Sequence, residues 1–371
     1  LLPSKSSIDT RLYSFSSLQV KVLMHLPESQ IDRAAIIYQN EIPHKTMIEK
    51  TQMSSLDHLK PIQKDFTFDL EGTLNSIVSL TSYIPEDAFT AAILGTQRSG
   101  HGAVISESGL IVTIGYLVAE ADQVWITTNS GSTVQGHALA YDYETGFGLV
   151  QALGKLHTST IKLGDSNCFE KGNTAILAAA GGSRQALKVE IAARSEFAGY
   201  WEYLIENAIY TTPVMPNWGG AALIDDQGQL CGIGSLYLNQ IETEELNKEG
   251  NLIVPTELLS PILDELTLYG RTLKPSRPWL GMFVSQIDRY FEVVGLYNNG
   301  PAAQQGLFTG DIILEVSGIT ASDLPSFFKH LWSLGTAGCD IPMLVKRDNI
   351  NRNITVKSVD RRDLWKGPRM H

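Results

Sequence analysis

The residues able to do chemistry are few, and most stand alone. Cys168, Cys231 and Cys339 are far apart and form no Cys-x-x-Cys pair. They read as free, buried thiols, with a single disulfide as the lesser alternative. The eight histidines, His25, His44, His58, His101, His137, His157, His330 and His371, show neither metal-pair spacing nor a nucleophile partner. His101 is expected on a surface or loop, and Cys231 in the core. Ala178-Ala179-Ala180-Gly181-Gly182-Ser183 is glycine-rich but lacks the Lys-Ser/Thr of a phosphate loop. No metal and no cofactor is expected.

The 371 residues are 43% hydrophobic and 19% charged, which suits a globular chain of two or three domains. A net charge of −11 with scattered Lys and Arg argues against a nucleic-acid surface. No apolar run approaches the roughly 18 residues of a membrane span. The sequence starts at Leu1, which is compatible with a removed signal peptide.

The elements that must position any site are mostly strands. Short apolar runs at Ala103–Ile105, Leu110–Thr113, Gln123–Thr127, Gly148–Ala152 and Thr174–Ala178 alternate with Gly, Asp and Ser turns, the pattern of a barrel or sandwich. Before them, residues 1–70 form an N-terminal extension of unknown fold. Within it Ser17–Met24 alternates like a strand, and Gln30–Asn40 has the length of a short helix. Thr256–Tyr269 reads as one amphipathic helix with the stripe Leu259, Ile262, Leu263 and Leu266, ended by Gly270. A proline-bearing linker follows at 273–278, then a compact module at 279–360 and a basic, solvated tail at 361–371.

Several landmarks in order resemble the HtrA/Deg family of trypsin-like serine proteases. Ser99-Gly100-His101-Gly102-Ala103-Val104-Ile105 and Gly109-Leu110-Ile111-Val112-Thr113 resemble the strand pair that opens its barrel. Ile161-Lys162-Leu163-Gly164-Asp165-Ser166 and Gly228-Gln229-Leu230-Cys231-Gly232-Ile233 are similar to two of its later segments. The resemblance implies a mainly β chain: a trypsin-like double β-barrel domain at 71–272, followed by an α+β PDZ domain. It places Tyr116 at the family's histidine, Gly146 at its aspartate and Gly219 at its serine, with Asn217 and Trp218 in the cleft. Glu144 lies near enough in sequence to Gly146 to replace the aspartate, but would have no histidine to orient. A tyrosine hydroxyl, with a pKa of about 10, is a poor general base.

Trp279-Leu280-Gly281-Met282 resembles the carboxylate-binding loop of a PDZ domain, supported by Gly300–Leu307, Gly310–Leu314 and Gly318. Phe327 and Leu331 are expected to face its peptide groove, with Phe328 and Trp332 in the core. A groove plugged or used internally is the rival arrangement. Together these features lead to the expectation of a non-catalytic pseudoprotease that binds polypeptide segments, a protein C-terminus or a partner, as a scaffold, chaperone-like factor or regulator. The alternatives are a serine-type endopeptidase with an unconventional or partner-activated site, and a structural subunit that co-assembles with an active homologue. Family analogy implies a homo-oligomer, typically a trimer. It also implies the periplasm for a bacterial protein, or an organelle lumen or stroma for a eukaryotic one.

Overall fold

The computed structural model describes residues 56–241 and 248–366. The expected strand at Ser17–Met24, the helix at Gln30–Asn40, and His25, His44 and His371 lie outside the described residues. A short helix α1 (Leu70–Asn75), capped by the Asp69 carboxylate on the Gly72 N–H, leads into the first barrel. That barrel contains β1 (Ile77–Tyr83), β2 (Gln97–Val104), β3 (Leu110–Ile114), β4 (Gln123–Thr127), β5 (Thr133–Tyr141) and β6 (Phe147–Ala152), with the short α2 (Ala91–Leu94) between β1 and β2. They close in the order β1-β2-β3-β6-β5-β4. The second barrel is built from β7 (Thr174–Ala178), β8 (Ala186–Gly199), β9 (Tyr203–Thr212), β10 (Ala222–Ile224), β11 (Leu230–Ile241) and β12 (Lys248–Pro255). Its order, β10-β11-β12-β9-β8-β7, repeats the connectivity of the first.

Burial explains why these segments are strands. In β3 every residue of Leu-Ile-Val-Thr-Ile is buried, whereas β1 alternates and sends only one face inward. Ile111, Val112, Ile126, Leu149 and Val150 are buried on the two faces of the first barrel's strands, and Leu177, Leu187, Ile209, Leu223 and Ile253 belong to the core of the second.

Pro261 has no N–H to donate, and the helix expected across 256–269 is divided there. A 3-10 turn covers Thr256–Leu258, and α3 (Leu263–Tyr269) ends at Gly270 in the left-handed conformation. Leu259 and Leu266 are still buried.

The last module is an antiparallel sheet ordered β13 (Met282–Ile287), β14 (Tyr290–Leu296), β15 (Ile312–Val316), β16 (Asp340–Arg347) and β17 (Ile350–Lys357). It carries α4 (Pro301–Gln304) and α5 (Leu324–Ser333), the latter begun by an Asp323/Ser326 capping box. The solvated tail expected from Arg361 is corrected by its packing. Arg361 is buried beside the rings of Tyr143, Trp279 and Tyr297, and Trp365 stacks on Tyr141. Aromatic and cation–π contacts therefore hold residues 361–365 to both the first barrel and the last module. The Arg277 guanidinium also lies over the Trp332 ring, which is half-buried rather than in the core.

Candidate functional site

The turn at Trp218–Gly220 is pinned between the barrels. The Gly219 carbonyl accepts from the His101 N–H of β2 at 2.9 Å, and the Gly220 N–H donates to Gly234 of β11 at 2.9 Å. Tyr116 sits in a 3-10 turn just after β3, and its hydroxyl donates to the Ser235 carbonyl at 3.0 Å. A Cβ placed on Gly219 would lie 3.2 Å from that hydroxyl. The Gly115 N–H donates to the Gly146 carbonyl at 2.7 Å, tying the Tyr116 turn to the β5–β6 turn. Tyr116, Gly146 and Gly219 are thus brought to one region, although they are far apart in sequence.

That region is crowded with rings. Gly146 has φ +89°, and a Cβ there would lie 2.4 Å from the Tyr203 hydroxyl, which donates to the Thr145 carbonyl. A cavity of about 60 Å³ remains, lined among others by Tyr116, Gly146, Trp201, Tyr203, Ser235 and Arg361. Trp218, expected to fill the cleft, is half-buried and does not line this cavity; Asn217 instead donates to the Gln185 side chain at 3.0 Å. Glu144 points elsewhere and pairs with Lys274 at 2.6 Å and Arg277 at 3.1 Å. His101 is half-buried, with Nδ1 accepting from the Ala180 N–H at 3.3 Å.

One supporting residue has no signature in the sequence. Arg98, on β2, is buried and donates to the carbonyls of Gly95, Tyr116 and Ala119 and to the Thr90 hydroxyl. It fixes the backbone of Tyr116 from behind.

In the last module, the N–H groups of Leu280, Gly281 and Met282 converge on one carboxylate. It belongs to Glu202, at the tip of the β8–β9 hairpin: Oε2 accepts from Leu280 at 3.0 Å, and Oε1 from Gly281 at 2.7 Å and Met282 at 3.0 Å. Trp279 is buried against Phe89 and Tyr297 rather than facing a groove. Phe327 and Leu331 are corrected as groove residues. They are 2% and 0% exposed, Phe327 packs on Phe291, and Ala198 of β8 covers the same cluster. Helical periodicity separates faces, but here the Phe327/Leu331 side of α5 is covered as well as Phe328.

Burial pushes the Glu202 carboxyl up to about 7, against the pull of the three N–H donors and Arg361. A carboxyl whose folded value exceeds its unfolded value favours folding fully below about 4.5, and that contribution is lost as pH rises through 7. The full loss is on the order of 3 kcal/mol. The melting temperature of the wild type minus that of Glu202→Gln is therefore expected to fall between pH 5 and pH 8. A difference constant over that range would contradict this environment for Glu202.

The cysteines are free, but Cys168 is exposed, which corrects the expectation of three buried thiols. Cys168, Asp225 and Cys231 place ligand atoms within 4.8 Å of one another and are the described residues best placed to hold a metal. Burial raises the Cys231 thiol, and Asp225 is already engaged by the Gln227 and Gln229 N–H groups.

A trypsin-like peptidase domain model matches residues 100–233, and a PDZ domain model matches 278–358. A probable periplasmic serine endoprotease DegP-like of Halomonas elongata is 27% identical over 287 residues, covering 72% of this chain and 58% of the relative. The serine protease Do-like HtrA of Lactobacillus helveticus is 27% identical over 290 residues, covering 71% and 69%. The solved HtrA-type protease AlgW with tripeptide aligns with a TM-score of 0.46 at 21% identity, over 78% of this chain and 95% of that one. The chain spans under two thirds of the length of the Halomonas relative. These names overturn the expectation of a non-catalytic binding protein: the curated relatives are serine endoproteases, and the matched domain is a peptidase domain.

Proposed function

We propose that this chain, which belongs to the HtrA-type family of trypsin-like peptidases with a PDZ domain, hydrolyses polypeptides at an unconventional, partner-activated site between its barrels. The observation that carries this reading is the peptidase match across residues 100–233, which spans strands of both barrels and the Gly219 turn. Tyr116, Gly146 and Gly219 stand, on this proposal, where the family keeps histidine, aspartate and serine, so the attacking oxygen comes from elsewhere. Among the described residues lining the cavity, Ser235 offers the aliphatic hydroxyl. The Arg361 guanidinium lines the same cavity, and its Nε has no hydrogen-bond partner among the described residues. Ser235 Oγ would attack the carbonyl carbon, its proton passing to the leaving amine. Developing oxyanion charge would be met by Arg361, and water would then release the acyl group from the ester.

A 60 Å³ cavity is far below the roughly 300–1,000 Å³ of an open ligand site, so activation requires opening. A polypeptide C-terminus at the PDZ domain is the proposed activator. The working division of the chain is a barrel domain at 71–272, a linker at 273–278 and a PDZ domain at 279–360. Assembly as a homo-oligomer and a periplasmic location belong to the same proposal by analogy with the relatives. Purified protein is expected to fragment unfolded casein slowly, and faster with a hydrophobic peptide bearing a free C-terminus. No fragments above a mock purification in either arm would overturn the enzyme.

A further inference from the structure

Glu202 sits at φ +59°, a backbone conformation that costs a residue with a Cβ about 1 kcal/mol or more. The hairpin tip is therefore held in place by its surroundings. Contacts from the PDZ domain hold it along its length. The Glu202 carboxylate takes the N–H groups of Leu280, Gly281 and Met282. The Tyr200 carbonyl accepts from the Val284 N–H of β13 at 2.7 Å, on the edge of the sheet that no other PDZ strand pairs. Ala198 packs against the cluster containing Phe327, Phe328 and Leu331, and Glu196 pairs with Lys329 of α5. Residues 196–202 thus run between β13 and α5 and end in a carboxylate in the loop.

An extended peptide ending in a free carboxylate would present the same groups: a main-chain acceptor for the edge strand, a small side chain toward α5 and a terminal anion for converging N–H donors. We infer that the β8–β9 hairpin is a built-in ligand of the PDZ domain, with Glu202 standing in for a peptide's terminal carboxylate, so that an external C-terminus binds only by displacing it. The domain is in this state a joint that locks its own chain rather than a vacant receptor. Displacement has a direct structural consequence, because Trp201 and Tyr203, on either side of Glu202, line the cavity with Tyr116, Gly146 and Ser235. Its effect on hydrolysis rests on the peptidase proposal above; the joint itself does not.

The test uses the whole chain and a fluorescent octapeptide ending in valine with a free carboxylate, and reads binding without hydrolysis. Apparent affinity falls with the fraction of molecules whose loop is vacant. Glu202→Ala and Glu202→Gln are therefore expected to bind the peptide about tenfold or more tightly than wild type, and its C-terminal amide is expected not to compete. Adding Gly281→Trp to Glu202→Ala should abolish binding, which locates the gain in the loop. In wild type, the amides of Leu280, Gly281 and Met282 should resist hydrogen exchange, and in Glu202→Gln the Leu280 amide, left facing an NH2 donor in place of Oε2, should lose that protection even if Glu202→Ala folds poorly. Equal affinity for wild type and both Glu202 variants, or no binding by any of them, would overturn the inference.

Discussion

Gly220→Ala is expected to destabilise the barrels by about 3 kcal/mol, roughly 1 for left-handed backbone and about 2, the middle of a 1–3 range, for forced overpacking. Gly220 has φ +78°, and a Cβ there would lie 1.9 Å from the His101 carbonyl oxygen, a backbone atom that cannot rotate away. That carbonyl is also held by the Thr113 hydroxyl at 2.6 Å, so relief would have to break the contact between β2 and the Gly219 turn. The corresponding fall in melting temperature is about 6–12 °C for a domain of this size. Calorimetry on the variant checks it, and a transition within about 2 °C of wild type would contradict the close approach described for this turn.

Arg98→Leu should cost about 3–5 kcal/mol, because it strands the Gly95, Tyr116 and Ala119 carbonyls in a buried site. Arg98 is 2% exposed, and burial pulls its guanidinium down to about 10 against the attraction of Glu120. Glu120 in turn accepts from the Phe89, Thr90 and Lys366 N–H groups, so the network reaches from the Tyr116 turn to the end of the described chain. Arg98→Lys should recover less than half of the loss, since an ammonium cannot reproduce a planar fork of donors. Thermal melts of the two variants decide the matter. If Arg98→Leu matched wild type, the buried hydrogen bonds of this residue would not be the support assigned to them.

Much of the scaffold was legible because strand signals are local. The run Thr174–Ala178 is a strand with those bounds, and Leu110–Thr113 needs only Ile114 added. Tyr116, Gly146 and Gly219 meet because the barrel strands carry them there, and the family landmarks located those strands. What was not legible is long-range. Glu202 lies in an ordinary aromatic turn, and nothing near it in sequence signals that its partners are Leu280 to Met282. Arg98 sits in a polar stretch of β2 that reads as solvent-facing. Phe327 and Leu331 lie on the helix face that would meet an open groove, and only the hairpin from the other domain shows why the cluster they join is sealed. The expectation of a protein without catalysis rested on Tyr116, Gly146 and Gly219 standing at the three family positions, and it did not weigh Ser235, which lines the same pocket.

The most direct test compares wild type with Ser235→Ala on unfolded casein in the presence of a valine-ending peptide, with fragments identified by mass spectrometry. Ser235 is 4% exposed within β11, and alanine leaves that strand without a steric conflict. Hydrolysis through Ser235 requires cleavage by wild type and a loss of at least about 100-fold in the variant, the scale of removing a catalytic group. Equal cleavage by both proteins, or cleavage by neither, would contradict it.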